Sequence, residues 1–331
     1  MTKEKSSVGQ LLETSGNYWK ACTLHAGVSL EIFTQIGNDC LDGDEIARRS
    51  GGDADGVKRL LNALTAMGLL TKQRGEYANT PESKSLLVKD SPEYIGHIIM
   101  HHHHMVSAWS RLPEAVKSGE QVRERSSFGK EEERESFLMG MFNLAMNIAP
   151  RVVDQIDLSG RNHLIDLGGG PGTYAIHFCK ANPSLGATVY DLPTTEPFAT
   201  KTTESFGLRD RIDFMAGNYV EDEIKGSYDV AWLSHILNGE GPEDCQRIIR
   251  KVVSVLEPGG LILIHDFILN DNLDGPLFPA LFSLNMLINT QHGQSYSESQ
   301  ITSMLAKAGV KEIHRIPFQG PNDSGIITGV V

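Results

Sequence analysis

Little in this sequence favours cysteine chemistry, a membrane or a nucleic acid. Only 4 of its 331 residues are cysteines. They stand at Cys22, Cys40, Cys179 and Cys245 with no Cys-x-x-Cys pair. They read as reduced core or surface thiols, and the expectation is a cytoplasmic protein. No apolar run reaches the ~18 residues of a membrane span. Residues 1–7 are polar and charged, with no apolar segment behind them, so no signal peptide is expected. Basic residues are in deficit: 30 Lys and Arg stand against 42 Asp and Glu, a formal net charge of −12. A large nucleic-acid footprint needs clustered Lys and Arg, so that partner is not expected. What the chain does have is length and apolar content. Its 331 residues, 40% of them hydrophobic, suggest two domains with enough chain for a proper core.

Glycine is concentrated where a strand should end. In Leu164-Ile165-Asp166-Leu167-Gly168-Gly169-Gly170-Pro171-Gly172 a short apolar run carries an acid and then breaks into glycines. Tyr174-Ala175-Ile176-His177-Phe178 then resumes at helical spacing. The reading is strand, tight loop, helix. Glycine is needed where the backbone turns with positive φ or where a ligand lies against the main chain, and a helix start offers free N–H groups. The pattern Gly168-x-Gly170-x-Gly172 is not the dinucleotide G-x-G-x-x-G, and no Lys-Ser/Thr follows to make a phosphate loop. About 25 residues on, near the distance at which an acid reads a ribose in nucleotide-binding βαβ units, Ala187-Thr188-Val189-Tyr190-Asp191 forms another apolar strand ending in an acid. A glycine loop and a ribose acid without phosphate chemistry suggest a nucleoside ligand.

Upstream of that stretch, residues 8–36 read as helical, with Leu11, Leu12, Tyr18, Trp19, Ala21, Leu24 and Val28 on an apolar face. Residues 42–51 read as a short helix stopped by Gly51. Residues 53–70 read as another, with Val57, Leu60, Leu61, Leu64 and Met67 at helical spacing. Residues 71–78 read as a hairpin turning at Gly75. Helix, helix, hairpin is a winged-helix pattern, and winged helices often bind DNA. Here Asp53 and Asp55 offset Lys58 and Arg59, and Glu76 offsets part of Lys72 and Arg74, so the basic excess of a groove-reading helix is missing. His97 and the run His101-His102-His103-His104 lie between apolar flanks. On a helix His97, His101 and His104 share a face, a spacing that could bind a metal. With no carboxylate or cysteine beside them, histidines that cap a pocket or meet solvent are the preferred reading, and no metal is expected.

Residues 120–134 are charged and turn-rich and read as a surface crossing. Residues 137–153 read as a long helix. Strands and helices then alternate. A third strand and its loop span 213–219, a fourth strand 227–234, and a helix 243–256. Glu257-Pro258-Gly259-Gly260 reads as a turn. The fifth strand, 261–267, is apolar almost throughout, as a buried parallel strand should be. Helices over 277–288 and 297–308 and closing strands over 310–317 and 324–331 finish the chain. The alternation implies a doubly wound α/β sheet with its ligand at the carboxyl edge of the strands.

These motifs together resemble the class I S-adenosylmethionine-dependent methyltransferases. With their flanks they resemble the small-molecule O-methyltransferase family of plant phenolic, acetylserotonin and bacterial antibiotic-tailoring enzymes. The resemblance covers essentially the whole chain. Besides the glycine loop it rests on Tyr77-Ala78-Asn79-Thr80-Pro81, on Trp109-x-x-Leu112-Pro113-Glu114-Ala115-Val116 with Gly119, and on Phe137 and Met141, which match a Phe-x-x-x-Met pair. It implies a Rossmann-like methyltransferase sheet with an N-terminal all-helical winged-helix-like dimerisation domain. The expected division is 1–105 for dimerisation, 106–155 for a helical linker and substrate-lining helices, and 156–331 for donor binding. It further implies a homodimer, S-adenosyl-L-methionine as cofactor and a small, aromatic or apolar acceptor.

In that resemblance Asp166, Gly168, Gly170 and Gly172 meet the methionine part of the donor, and Asp191 with Leu192 the ribose. Asn218 and Tyr219 stand around the adenine, where the family usually has Asp and an aromatic or Met. An amide there can donate to a ring nitrogen and accept from the exocyclic amine. Ser234 lies beside the sulfonium. Expected acceptor contacts are His104, Phe137, Met141, Asn285, Met286 and Asn289. Core packing is the plainer alternative for Phe137 and Met141, and helix packing for Asn285, Met286 and Asn289.

One departure bears on the chemistry. The family has a histidine base after the fourth strand, and Asn238 occupies that position. An amide cannot act as a base near neutral pH. The two acids that orient the family's histidine fall at Asp266, which is shortened, and Ser295, where the acid is absent. His235, three residues before Asn238, matches a histidine that bacterial members often carry and that is not the base in that pattern. His292, His101 and His104 are the candidate substitutes. A base is also unnecessary for an acceptor that arrives ionised. Carbon methylation, or other chemistry on the same fold, is the alternative. A donor-binding winged-helix regulator without catalysis is the alternative of another class.

Overall fold

The computed structural model describes residues 7–331, in two compact units. One unit contains the chain up to Val106 together with Glu135–Asn143, and the other contains Ser107–Arg134 and Leu144–Val331.

In the first unit, α1 (Val8–Gly16), α2 (Tyr18–Ser29) and α3 (Ile32–Ile36) replace the continuous helix expected over 8–36. The last break falls at Glu31, whose φ of 52° is left-handed. It turns the chain so that Ile32, Phe33 and Ile36 are fully buried. Burial there outweighs helical continuity. The other elements begin and end on local signals. The Asp42 side chain accepts from Glu45 N–H to start α4 (Gly43–Ser50), and Gly51 ends it at φ 68°. Asp53 does the same for α5 (Ala54–Ala66), which stops short of residue 70 because Leu70 enters a strand.

The unit is mostly helical, and the hairpin expected over 71–78 is present as part of a small sheet. β1 (Leu41–Asp42), β2 (Leu70–Gln73) and β3 (Glu76–Asn79) form an antiparallel sheet in the order β1-β3-β2. Arg74 and Gly75 both have positive φ in the connecting turn, the conformation a tight two-residue hairpin needs. Thr80 caps α6 (Pro81–Leu87), and α7 (Gly96–Trp109) carries the histidine run. Val28, Ile46, Leu61, Leu64 and Tyr77 are in the core of this unit. α1 contributes no buried residue to it.

The second unit includes α8 (Leu112–Ser118) and the C-terminal part of α9 (Glu131–Val153), which begins earlier than the 137 expected. The chain then runs β4 (His163–Leu167), α10 (Thr173–Ala181), β5 (Gly186–Asp191), α11 (Glu196–Ser205), β6 (Ile212–Ala216), β7 (Tyr228–Ser234), α12 (Pro242–Val255) and β8 (Leu256–Leu269). It ends with α13 (Leu277–Asn289), β9 (Tyr296–Ser297), α14 (Glu298–Lys307), β10 (Lys311–Ile316) and β11 (Ser324–Val330). The sheet order is β10-β11-β8-β7-β4-β5-β6, with β9 paired to β8. Strands β6 to β8 of that order are parallel, and β11 and β10 close it antiparallel.

Strand order reverses at β4, which lies between β5 and β7. That reversal opens a crevice at the carboxyl ends of the strands, where such sheets bind ligands. The turn expected at 257–260 lies inside β8 as an irregularity. The β7 register jumps from Leu256 opposite Tyr228 to Leu261 opposite Val230. Apolar side chains on both faces of β4, β7 and β8 bury the sheet between helices. Among the described residues no helix is long and apolar enough to cross a membrane.

Candidate active site

The glycine loop leaves β4 with Gly168, Gly170 and Gly172 at φ of 63°, 55° and 81°. A Cβ on Gly168 would stand 2.9 Å from Ile236 Cδ1, whereas one on Gly170 would meet nothing within 4 Å. The loop is therefore tight on the side of the 234–238 segment and open over Gly170. Asp166, buried at the end of β4, accepts from Ala175 N–H at the start of α10 through Oδ2 (3.1 Å). Its Oδ1 is buried with no partner. Burial, opposed by that N–H and reinforced by the nearby charge of Asp191, pushes the Asp166 carboxyl up to about 7.

Asp191, ending the neighbouring β5, accepts from Gly170 N–H (2.8 Å), Leu192 N–H (2.7 Å) and the Thr195 hydroxyl (3.0 Å). Burial raises its pKa, and these three donors hold it down. A carboxylate has about four acceptor positions, so one remains for a ligand. Two carboxylates at an open glycine loop fit the cationic methionine and ribose diol of S-adenosylmethionine. After β6, Asn218 Oδ1 already accepts from Val220 N–H (3.0 Å). That leaves its Nδ2 donors and the second lone pair of Oδ1 for a ligand.

Tyr219 lies beside the same loop, with its Cε1 3.4 Å from the Gly168 Cβ position. Its hydroxyl is 3.5 Å from Glu240 Oε1, which in turn pairs with Arg125 Nη1 at 2.7 Å. Arg125 also donates to Gly239 O. The stretch read as a surface crossing therefore sends an arginine into the site. Nothing in a charged run distinguishes that arginine from a solvated one. The Ser234 hydroxyl at the end of β7 meets His265 Nδ1 (3.0 Å). His265 is fully buried, and burial, reinforced by the charge of His235, holds its pKa well below the usual histidine value.

On the acceptor side Asn238 sits in a 3-10 turn (Leu237–Gly239), 4% exposed. Its Nδ2 donates to Asp266 Oδ1 at 2.7 Å and its backbone N–H to Asp266 Oδ2 at 3.3 Å. Asn238 thus meets the aspartate expected to orient a histidine. The second expected position, Ser295, is buried with its hydroxyl unpartnered. Phe267 packs on Phe278 and Phe282 of α13 with ring centroids 4.8 and 4.7 Å away, an aromatic wall the sequence reading missed.

Other candidates are placed less centrally. His292 is exposed, its Cβ 2.8 Å from the Gly241 Cβ position. Asn285 Oδ1 accepts from Trp109 Nε1 (3.1 Å), and Asn289 Nδ2 donates to Asn285 O (2.6 Å) within α13. Met286 is buried. His101, His104, Phe137 and Met141 belong to the first unit. There the His101 and Phe137 rings lie 5.3 Å apart, and Met141 packs against the core. Among the described residues no group of three or more His, Cys, Asp or Glu could hold a metal.

A family model described as an O-methyltransferase domain matches residues 109–311, and one described as an O-methyltransferase dimerisation domain matches residues 12–89. The 3-hydroxy-5-methyl-1-naphthoate 3-O-methyltransferase of Streptomyces sahachiroi is 31% identical over 326 residues, covering 97% of this chain and 94% of that protein. Among solved structures, an O-methyltransferase family protein from Burkholderia thailandensis superimposes with a TM-score of 0.88 at 27% identity over 98% of both chains. PigF with SAH does so with a TM-score of 0.90 at 25% identity, over 98% of this chain and 100% of that one.

Proposed function

This chain belongs to the O-methyltransferase family, as an S-adenosylmethionine-dependent methyltransferase with a dimerisation domain, and we propose that it methylates a hydroxyl of a small aromatic acceptor and works as a homodimer. When bound, S-adenosylmethionine supplies a methyl group on a positively charged sulfur, activated for in-line displacement. What is left to the protein is alignment. In this reading Asp191 takes a ribose hydroxyl with its remaining acceptor position. Asp166 faces the cationic methionine part across the glycine loop. Asn218 donates its side-chain N–H to the adenine, Tyr219 borders it, and Ser234 stands beside the sulfonium.

The observation that carries the acceptor half is the Asn238–Asp266 pair beside the Phe267, Phe278 and Phe282 wall. Asp266 takes one N–H of the amide, so the second N–H of Asn238 is left to donate to the acceptor oxygen and aim it. The aromatic wall suits a flat apolar ring. Hydroxynaphthoates are the first acceptors to try, since a hydroxynaphthoate derivative is what the Streptomyces sahachiroi relative is named for. Incubation with methyl-labelled donor and a panel of hydroxynaphthoates and other phenols should give a labelled methyl ether, identified by mass and nuclear magnetic resonance. Label on a ring carbon instead would move the chemistry to C-methylation. Donor binding with no transfer to any acceptor would favour a non-catalytic role.

A further inference from the structure

We propose that His235, oriented by Asp266, is the proton acceptor for the incoming hydroxyl, in the role that Asn238 cannot fill. The proposal rests on the O-methylation reading above. His235 follows directly on β7, and its backbone is left-handed, with φ 55°. Few non-glycine residues adopt that conformation, and such residues cluster at active sites, where the surrounding structure holds them. What holds this one is visible. Its N–H donates to His265 O at 2.8 Å, and its ring packs on Phe267 and His265 with centroids 4.3 and 4.7 Å away. That conformation turns Nδ1 inward, where it is buried with no hydrogen bond other than the approach of Asp266 Oδ1 at 3.4 Å. The side chain is still 28% exposed, and Nδ1, not Nε2, is its buried unpartnered nitrogen, which leaves Nε2 as the edge open to an acceptor. Ile236 after it borders the donor loop, since it lies against Gly168.

The arrangement is that of a base held by an acid: carboxylate to Nδ1–H, Nε2 left open. A separation of 3.4 Å is longer than a formed hydrogen bond, but catalytic hydrogen bonds commonly stand long until substrate tightens them. The titratable groups against the ring are Asp266 and His265, both on β8, with Tyr174 of α10 one ring further on. His265 is kept neutral by burial and carries no competing charge. Asp266 is 3% exposed and receives Asn238 Nδ2 and Phe267 N–H besides. An imidazolium at 235 would therefore face a buried carboxylate. Among the described residues no carboxylate contact of that kind accompanies His292, which is exposed. In the step itself the acceptor O–H bond breaks and its electron pair stays on oxygen. The proton goes to Nε2 and later to water. The oxygen forms its bond to the methyl carbon as the carbon–sulfur bond breaks with its pair kept by sulfur.

Two measurements test this, one of which needs no acceptor. Two-bond proton–nitrogen spectra of the histidine-labelled protein above pH 8 should show His235 as the Nδ1–H tautomer, assigned by the signal lost in His235→Asn. Asp266→Asn should abolish that preference. An Nε2–H tautomer in the unmodified protein overturns the proposal whatever the acceptor proves to be. His235→Asn is the variant of choice because asparagine tolerates the left-handed backbone. With acceptors found active above, it should lower turnover by roughly 10²-fold or more for weakly acidic phenols. For nitrophenols already ionised at assay pH the loss should be under about threefold, and SAH affinity by calorimetry should be unchanged. An equal loss with both acceptor classes, or none with either, overturns the assignment. Absence of any O-methylation, with the tautomer as expected, would instead refute the acceptor reading of the preceding section.

Discussion

At the scale of single residues, Asp191 joins the two halves of the donor site. It ends β5, yet one of its oxygens receives Gly170 N–H from the loop after β4. The same side chain that is proposed to take the ribose therefore also fixes the glycine loop. Leu192 N–H and the Thr195 hydroxyl pin its other oxygen, so its position is set before any ligand arrives. Asp191→Ala should lower SAH affinity by about 1.5–3 kcal/mol, the range for hydrogen bonds to a charged group. Calorimetry that finds the affinity unchanged would remove Asp191 from the site. Gly168 illustrates a different residue-scale constraint. Its left-handed φ and the 2.9 Å approach of Ile236 leave no place for a side chain.

At the scale of elements, α1 has the least support from its own unit. It buries none of its residues, although it carries Val8, Leu11 and Leu12. Leu12 and Trp19 of the next helix are each 68% exposed, and Tyr18 is exposed beside them. A short helix gains little from propensity alone and needs an apolar surface to pack on. The dimerisation-domain match over residues 12–89 begins within this helix, which supports a second copy of the chain as that surface. Burying a leucine stabilises by roughly 1.5–3 kcal/mol. The double substitution Leu11→Glu and Leu12→Glu should thus weaken association by at least about 100-fold and give a monomer in light scattering. A variant that keeps the molar mass of the unmodified protein would exclude α1 from the interface.

For the whole molecule, buried titratable groups set how stability depends on pH. Asp166 has its folded pKa raised from 3.8 to about 7, first by burial. Its contribution is fully present below about 4, is lost as pH rises toward about 7, and is constant beyond. A shift of that size corresponds to a few kcal/mol, roughly. His265 acts the other way. With its pKa depressed by burial and by the charge of His235, its contribution is present above 6.5 and is lost as pH falls below it. Asp166→Asn isolates the first effect, since the amide can still accept from Ala175 N–H. The stability of the variant relative to the unmodified protein should therefore rise by a few kcal/mol between pH 4 and pH 8 in denaturant titrations. A difference that stays flat across that interval would mean that Asp166 is ionised throughout.

Sequence alone determined whatever depends on neighbouring residues. The helix caps at Asp42, Asp53 and Thr80, the glycine loop, and the acids at the ends of β4 and β5 are all local. Each is fixed by backbone conformation or by hydrogen bonds spanning a few positions. The alternation of apolar runs with helical spacing was enough for the doubly wound sheet, because a parallel sheet must be covered on both faces. Tertiary structure decided what depends on distant chain segments meeting. The break at Glu31 follows from burying Ile32, Phe33 and Ile36, which no local pattern announces. Arg125 is solvated-looking in sequence and is drawn inward by Glu240, more than a hundred residues away. His235 is one of 12 histidines until the left-handed turn after β7 swings its Nδ1 toward Asp266 on β8. Spacing can nominate a residue for a site, but the direction of its side chain is set by backbone dihedrals and by partners on other strands.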